Sequence, residues 1–110
     1  MTTRFIHDGD TIDHTPSSAV SAGDVVVQTD LVGIAKQDIP AGELGSLAVT
    51  GVYDMPKATG TSTAMAAGAK VYWNATLQQV TTTSSGMKYL GKTIQAAADA
   101  DATVRVRLEQ

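Results

Sequence analysis

The sequence predicts an all-β fold, either a small β-barrel or a two-sheet sandwich. Three observations support this prediction. Short β-branched and aliphatic runs recur along the chain, turn-forming residues such as glycine separate them, and one segment alternates strictly between apolar and polar residues. In that segment, 103–109 (TVRVRLE), three apolar residues alternate with Arg105 and Arg107, as expected for a strand with one buried face.

The start of the chain differs from the rest. Residues 1–18 are polar and turn-rich, so we expect an extended N-terminal arm, followed by a single β domain over residues 19–110. Arg4, Phe5 and Ile6 have the character of a strand, but they could pair only with help from elsewhere. We therefore predict that these three residues are interaction residues.

Two segments account for the strands predicted in the first half of the chain. Segment 24–35 contains two short aliphatic runs. Segment 46–55 alternates, which places Leu47, Val49, Gly51 and Tyr53 on one face. Both segments are therefore predicted to be extended.

The second half begins with a predicted short helical turn near 62–67. Segment 70–82 is typical of a hairpin whose turn lies near Asn74. Segment 87–94 is predicted to be another strand, and the alanine-rich segment 94–102 is predicted to be a loop or a short turn because it lacks an apolar stripe.

The aromatic residues are few, and Trp73 is the largest of them. Only five aromatics are present, so the core must consist mainly of Val, Ile, Leu, Met and Ala. Trp73 stands beside Tyr72 in a predicted strand, where it either belongs to the core or contacts another subunit. We include Trp73 among the candidate interaction residues.

A weak internal repeat is consistent with the β interpretation. Segment 21–30 resembles 66–76, since each has an Ala-Gly step that precedes a β run. The similarity predicts two pseudo-repeated halves, 19–58 and 64–110, although chance likeness among segments rich in Ala, Gly and Val is an equal alternative.

The overall composition excludes several classes of protein. The absence of cysteine excludes disulfides, zinc–cysteine sites and thiol catalysis. The formal net charge of −3 argues against bulk attraction to nucleic acid. No apolar run approaches the roughly 18 residues that a membrane span needs. We therefore expect neither nucleic acid nor a membrane as a partner.

One segment, GMKYLGKT (86–93), matches the phosphate-binding pattern G-x-x-x-x-G-K-[ST]. That pattern requires a buried strand before the loop and a long helix after it, so that backbone amides converge on phosphates. Here a solvated turn precedes the segment, its middle has strand character, and only 17 residues follow it. We interpret Gly91, like Gly33, as a site where a neighbouring strand approaches closely, and Lys92 as a solvated charge.

Other candidate chemistry is equally weak. The segment 7–14 (HDGDTIDH) could offer metal ligands, but it lies in the predicted arm, where nothing would hold a site in shape. Both histidines lie there as well, and no serine or threonine has the setting of an activated nucleophile. Arg105 and Arg107 are expected to pair with carboxylates across strands. We predict no catalytic, cofactor-binding or metal-binding residue and no enzymatic activity.

The chain resembles a small family of tailed-phage capsid decoration proteins, also called cement proteins. The most specific parts of the resemblance are the blocks Val-Tyr-Trp at 71–73 and Val-Arg-Val-Arg-Leu at 104–108, within the longer match 67–110. The first half also fits, for example in FIHDGDTIDHT (5–15) and in 32–58, so the resemblance spans nearly the whole chain.

The resemblance implies a β-rich structural protein that binds the major capsid protein on the outside of the head and stabilises the shell, as a homotrimer. It implies a location on the virion, and in the host cytoplasm before assembly. The family has also carried a label of predicted RecA/RadA-type recombinase. Two alternatives therefore stand beside decoration: a nucleotide-binding recombination factor that uses Gly86–Thr93, and an adaptor or fibre-base module of the virion.

Overall fold

The computed structural model describes residues 3–110 as nine strands in two antiparallel sheets, so the all-β prediction is confirmed. The first sheet contains β1 (Thr11–His14), β2 (Val25–Gln28), β3 (Leu31–Ala35) and β4 (Gly45–Ala48). The second sheet contains β5 (Val52–Pro56), β6 (Lys70–Asn74), β7 (Gln79–Thr81), β8 (Lys88–Thr93) and β9 (Thr103–Leu108). The sheets pack against each other in a sandwich-like arrangement around a shared core.

The first sheet has the strand order β1-β4-β3-β2, and it is apolar on both faces. On one face, Val32 and Ile34 of β3 belong to the main core, where Val25 and Val27 of β2 pack against them. The opposite face carries a second, smaller cluster, formed by Ala35, Leu47 and Ile39 with Ile12, Val20 and Val26 at its edge. The two runs predicted within 24–35 are therefore the hairpin β2–β3, in which β3 is largely buried and β2 is half-buried.

The second sheet has the strand order β5-β9-β8-β6-β7. Strand β9 has the strict alternation that the sequence predicts, with its apolar residues buried and Arg105 and Arg107 exposed. Strands β6 and β7 form the predicted hairpin, and the side-chain oxygen of Asn74 accepts hydrogen bonds from the turn amides of Thr76 and Leu77. The two edge strands of this sheet approach each other at a single parallel bridge between Lys57 and Val80.

The main core joins the two sheets through small and medium side chains. Val32 of the first sheet and Leu90 and Val106 of the second are fully buried in it. Trp73 lies in the same cluster and is 3% exposed. Because both sheets contribute to one core, neither could bury its inner face without the other.

Two polar contacts also connect the sheets. The side chain of Gln110 accepts a hydrogen bond from the Val32 amide (2.8 Å) and donates to the carbonyls of Tyr89 and Leu90 (2.8 Å each). Lys88 of β8 forms an ion pair with Asp30 in the turn between β2 and β3, at 2.8 Å. The hydrogen bond from Lys88 lowers the pKa of the Asp30 carboxyl below its usual value.

The structure corrects two sequence-based predictions. Segment 46–55 is not one alternating strand, because the chain leaves the first sheet after Ala48 and enters the second at Val52 through a turn in which Gly51 has a φ of 109°. The predicted helical turn near 62–67 is wrong as well. That segment consists of turns and an isolated bridge between Met65 and Ala97, because backbone pairing with the neighbouring loop takes the place of local helical hydrogen bonds.

The predicted N-terminal arm contains the edge strand β1, which pairs with β4 in register from Thr11 opposite Ala48 to His14 opposite Gly45. Residues 3–10 form no strand. A boundary near residue 10 therefore separates the unpaired segment from the first sheet. The division into two pseudo-repeated halves stays a prediction.

Lys57 is buried, at 3% exposed, beside the bridge that joins β5 and β7. Its ammonium group donates to the carbonyls of Ala58 (2.7 Å) and Asp101 (3.0 Å) and to the hydroxyl of Thr63 (3.3 Å). Three donors therefore meet three acceptors, which is the condition under which a buried ammonium group is tolerated.

Replacing Lys57 with Met keeps the length of the side chain but leaves these acceptors unpaired. We expect the free energy of unfolding to fall by about 1–3 kcal/mol, the usual cost of unsatisfied buried polar groups. Urea unfolding followed by tryptophan fluorescence measures the change. The matched control is Lys36→Met, at an exposed position. Equal stability of Lys57→Met and the wild type would contradict the role assigned to this contact.

Candidate functional site

The segment that matches the phosphate-binding pattern is a strand. Residues 88–93 are β8, which pairs with β6 on one side and β9 on the other, so its backbone amides lie in the sheet. Thr93 is 2% exposed, and its hydroxyl donates to the Ala66 carbonyl (2.6 Å) and accepts from the Ala69 amide (3.1 Å). The Lys92 side chain is exposed, as predicted. The segment therefore does not present the cradle that a polyphosphate needs.

The close approach of β9 explains why glycine occupies position 91 of β8. A Cβ at this position would overlap the carbonyl oxygen of Arg107 in β9. Gly33 of β3 is similar, since an added Cβ would lie 2.8 Å from the Cβ of Leu47. Both glycines allow neighbouring strands to approach closely, as the sequence predicts.

The acidic and histidine-rich segment 7–14 runs along the start of the first sheet. Among residues 3–110, no group of three or more His, Asp or Glu side chains is arranged to hold a metal ion. The three carboxylates of the segment belong to Asp8, Asp10 and Asp13, and all three residues are exposed. This part of the chain is therefore an acidic surface without a preformed ligand cage.

The four predicted interaction residues lie in two different settings. Arg4, Phe5 and Ile6 lie in the unpaired segment 3–10, with Phe5 76% and Ile6 70% exposed. Trp73 lies in the main core, so its burial favours the first of the two roles that the sequence left open. The structure therefore does not bring these four residues together.

The outer face of the second sheet carries a line of cations that the sequence analysis did not identify. Lys70 of β6 is directly opposite Lys92 of β8, and Lys92 is directly opposite Arg107 of β9. We call these three residues the basic row. Its members are far apart in sequence, and only the register of three strands aligns them. The sequence did indicate that Lys92 and Arg107 each point outward from their own strands. It did not indicate that these strands place the two side chains next to each other.

Next to the basic row, Arg105 forms the cross-strand pair that was predicted. Its guanidinium group binds the Asp54 carboxylate through two contacts, Nε to Oδ1 at 2.8 Å and Nη2 to Oδ2 at 3.2 Å. The hydrogen bond from Arg105 lowers the pKa of Asp54, and the same contact raises the pKa of Arg105. Arg105 is therefore neutralised within its own sheet.

Two tyrosines flank the other side of the basic row. The rings of Tyr72 and Tyr89 meet edge to face, with centroids 5.7 Å apart. The Tyr89 hydroxyl donates to Glu109 Oε2 at 2.7 Å, while Glu109 Oε1 lies 3.9 Å from the Lys92 ammonium and 3.8 Å from the Arg107 guanidinium. A single carboxylate thus serves two cations and one hydroxyl group.

Comparison with known proteins identifies the family. The family model described as phage cement protein matches residues 6–108. The chain belongs to the phage cement protein family. No curated protein and no solved structure matches it.

Membership establishes the class of function. Phage cement proteins are structural, non-enzymatic proteins of the virion capsid, so this cement protein binds the capsid and stabilises the head. Within residues 3–110 there is no helix long and apolar enough to cross a membrane.

The environment of Tyr89 makes the cement protein sensitive to high pH. Burial, reinforced by the hydrogen bond to Glu109, raises the pKa of Tyr89 to about 12 from the ordinary 10.0. Because the folded protein favours the neutral phenol, this stabilisation is complete below pH 10 and is lost as the pH rises towards 12. Tyrosinate absorbance, measured as the difference between wild type and Tyr89→Phe, follows this titration. Glu109→Gln should lower the pKa of Tyr89, whereas the exposed control Glu43→Gln should not. An unchanged pKa in Glu109→Gln would refute the assignment.

The setting of Lys92 predicts that the cement protein does not bind nucleotides. Equilibrium titration with a fluorescent ATP analogue and Mg²⁺ should give no saturable signal, for the wild type or for Lys92→Ala. Lys70→Ala is the control for loss of a cation from the same face. Saturable binding that disappears only in Lys92→Ala would contradict the structural interpretation and favour the recombination alternative.

Proposed function

We propose that this cement protein binds the outer surface of the head through its unpaired N-terminal segment, with the major capsid protein as its partner. Phe5 and Ile6 carry the proposal, because they are large apolar side chains exposed in a segment that pairs with no strand in the described chain. Such residues expose apolar surface to water unless a partner covers them. Arg4 adds a cation beside them.

The mode of contact that suits this segment is strand addition. Residues 3–10 lead directly into the edge strand β1, and an extended peptide can add to an open sheet edge of a partner. Main-chain hydrogen bonds then supply affinity. Because successive side chains of a strand point to opposite faces, Phe5 and Ile6 would contact the partner on the two faces of the added strand. The two sheets, held by one core, provide a rigid base from which the segment extends.

The stabilising effect on the head follows from linkage. A protein that binds the assembled shell and not its separated subunits shifts the equilibrium towards the shell, by an amount that grows with the occupancy of its sites. Because a head offers many copies of each site, contacts of modest strength suffice in total. A bridge between neighbouring subunits adds buried surface at the junctions that internal pressure strains.

The proposal also includes the oligomeric state of the protein and the closure of its second sheet. We propose that the protein acts as a homotrimer, as the family resemblance implies. We also propose that the second sheet is a small barrel closed between β5 and β7, for which the bridge from Lys57 to Val80 is the supporting contact. A closed sheet leaves fewer free edges for unwanted pairing.

Binding to empty expanded heads tests the proposal. Purified protein and heads are mixed and sedimented, and the bound protein is quantified. We expect saturation at a fixed stoichiometry per capsid subunit, whereas an adaptor or fibre-base module should bind only at the few sites that those structures occupy. Failure to co-sediment would refute capsid binding by this chain.

Removal of residues 1–9 tests the role of the segment. We expect this truncation to weaken head binding at least tenfold and to leave the unfolding transition unchanged, because β1 and its pairing with β4 are retained. Truncation to residue 15 would not be a clean test, since it removes β1. The double variant Phe5→Ser/Ile6→Ser should reproduce the loss, and Leu77→Ser, at an exposed turn position, should not. Unchanged affinity after truncation would exclude the segment as the contact.

A further inference from the structure

The basic row brings like charges together in a way that costs stability. Cross-strand neighbours lie about 5 Å apart, and like charges directly opposite each other are destabilising. Here two such pairs follow in succession, Lys70 with Lys92 and Lys92 with Arg107. In contrast, the nearby Arg105 has a carboxylate of its own in Asp54.

Internal neutralisation of the basic row is incomplete. Glu109 is shared between Lys92 and Arg107 at 3.9 Å and 3.8 Å, and its other oxygen already accepts from a tyrosine hydroxyl. Within the part of the chain that the structure describes, Lys70 forms no ion pair. The Lys92 and Arg107 side chains are 47% and 66% exposed. The outer face of the second sheet thus presents a fixed, accessible excess of positive charge.

An acidic surface lies at the edge of the other sheet. Asp8, Asp10 and Asp13 lie on and just before the edge strand β1, and each is exposed. Among residues 3–110 none of the three takes part in an ion pair. One side of β1 has no strand neighbour in the first sheet, since β4 occupies the other. We call Asp8, Asp10 and Asp13 the acidic edge.

The division of charge between the halves of the chain follows the same pattern. Residues 1–50 contain seven carboxylates and two cations, whereas residues 51–110 contain four carboxylates and six cations. The formal net charge of −3 therefore conceals an acidic first half of the chain and a basic second half. A molecule with separated charges of opposite sign is complementary to another copy of itself.

We infer that the basic row of one copy binds the acidic edge of the next. This inference rests on the proposed self-association and names the surfaces that carry it. The contact is heterologous, because two different surfaces of the same chain meet. Repetition of such a contact produces a closed ring when the rotation between copies allows closure. In such a ring, the acidic edge of each copy neutralises the basic row of the neighbouring copy.

The surroundings of the basic row favour a protein partner over nucleic acid. Tyr72 and Tyr89 contact each other edge to face, and Tyr89 donates its hydroxyl to Glu109. Their rings are therefore engaged within the sheet and do not form a free stacking platform for bases. The carboxylate of Glu109 within the cation group would also oppose a phosphate backbone.

Charge reversal in purified protein tests the inference. Sedimentation equilibrium measures self-association of the wild type, of Lys92→Glu/Arg107→Glu, of Asp10→Lys/Asp13→Lys, and of the fourfold variant that carries all these changes. We expect each double variant to associate at least tenfold more weakly than the wild type, because like charges then face each other. The fourfold variant should associate again, since two of the three charges on each surface are exchanged in sign and its net charge equals that of the wild type. The controls Lys36→Glu and Glu43→Lys change single exposed charges elsewhere and should associate as the wild type does.

Salt provides an independent measurement. Raising the salt concentration from about 0.05 M to about 0.5 M shortens the Debye length from about 14 Å to about 4 Å, and the association should weaken accordingly. Circular dichroism of each variant confirms that the fold is retained. A wild type that stays monomeric at low salt, or a fourfold variant that fails to regain association while folded, would overturn the inference.

Measuring head binding together with self-association distinguishes a failure of this inference from a failure of the proposed function. Unchanged self-association of Lys92→Glu/Arg107→Glu combined with loss of head binding would assign the basic row to the shell and overturn the inference. A wild type that self-associates as expected but does not bind heads would refute the proposed function and leave the inference intact.

Discussion

One shared core between two small sheets is the constraint on which the rest of the structure depends. Val32 from the first sheet and Leu90 and Val106 from the second are completely buried in it. With only five aromatics in the chain, the core is built from side chains that leave little tolerance for displaced strands. The strands must therefore approach closely, which explains the glycines in β3 and β8. Most polar residues lie on the outer faces, whereas Lys57 and Thr93 are buried and hydrogen-bonded within the fold. Those outer faces and the segment before β1 are the parts available for a partner.

The strand β8 shows how the same residues give different functions in different settings. In a phosphate-binding loop, glycine, lysine and threonine surround an anion because the backbone coils around it. In this chain the backbone of these residues is extended and paired on both sides. Gly91 then permits close contact with β9, Lys92 enters a surface row of cations, and the Thr93 hydroxyl is used within the fold. A sequence pattern thus predicts chemistry only together with the local structure that it requires.

Side-chain periodicity and turn residues predicted several strands and one hairpin of the fold. The alternation in 103–108, the two runs that became β2 and β3, and the β6–β7 hairpin were all readable from the sequence, because side-chain periodicity and turn residues determine them. The change of sheet around Gly51, the pairing of β1 with β4 and the burial of Lys57 depend on contacts between distant segments, which one sequence does not reveal. The same limit applies to the site. The interaction role of Arg4, Phe5 and Ile6 stays a prediction, and these residues are exposed. The alignment of Lys70, Lys92 and Arg107 could not be predicted, because it exists only through strand register.

Cementing requires a rigid body and a surface that binds the shell. The shared core supplies the rigid body, and the segment before β1 is our proposal for the binding surface. Family membership gives the role, and the physical account is that binding to the assembled shell stabilises it by mass action. At a free protein concentration about one hundred times the dissociation constant, each site gains about 2.7 kcal/mol. The most direct test is the temperature at which empty expanded heads disassemble, followed by light scattering with and without saturating protein. The account predicts that this temperature rises with the concentration of protein until the sites are full; an unchanged temperature at saturation would contradict it.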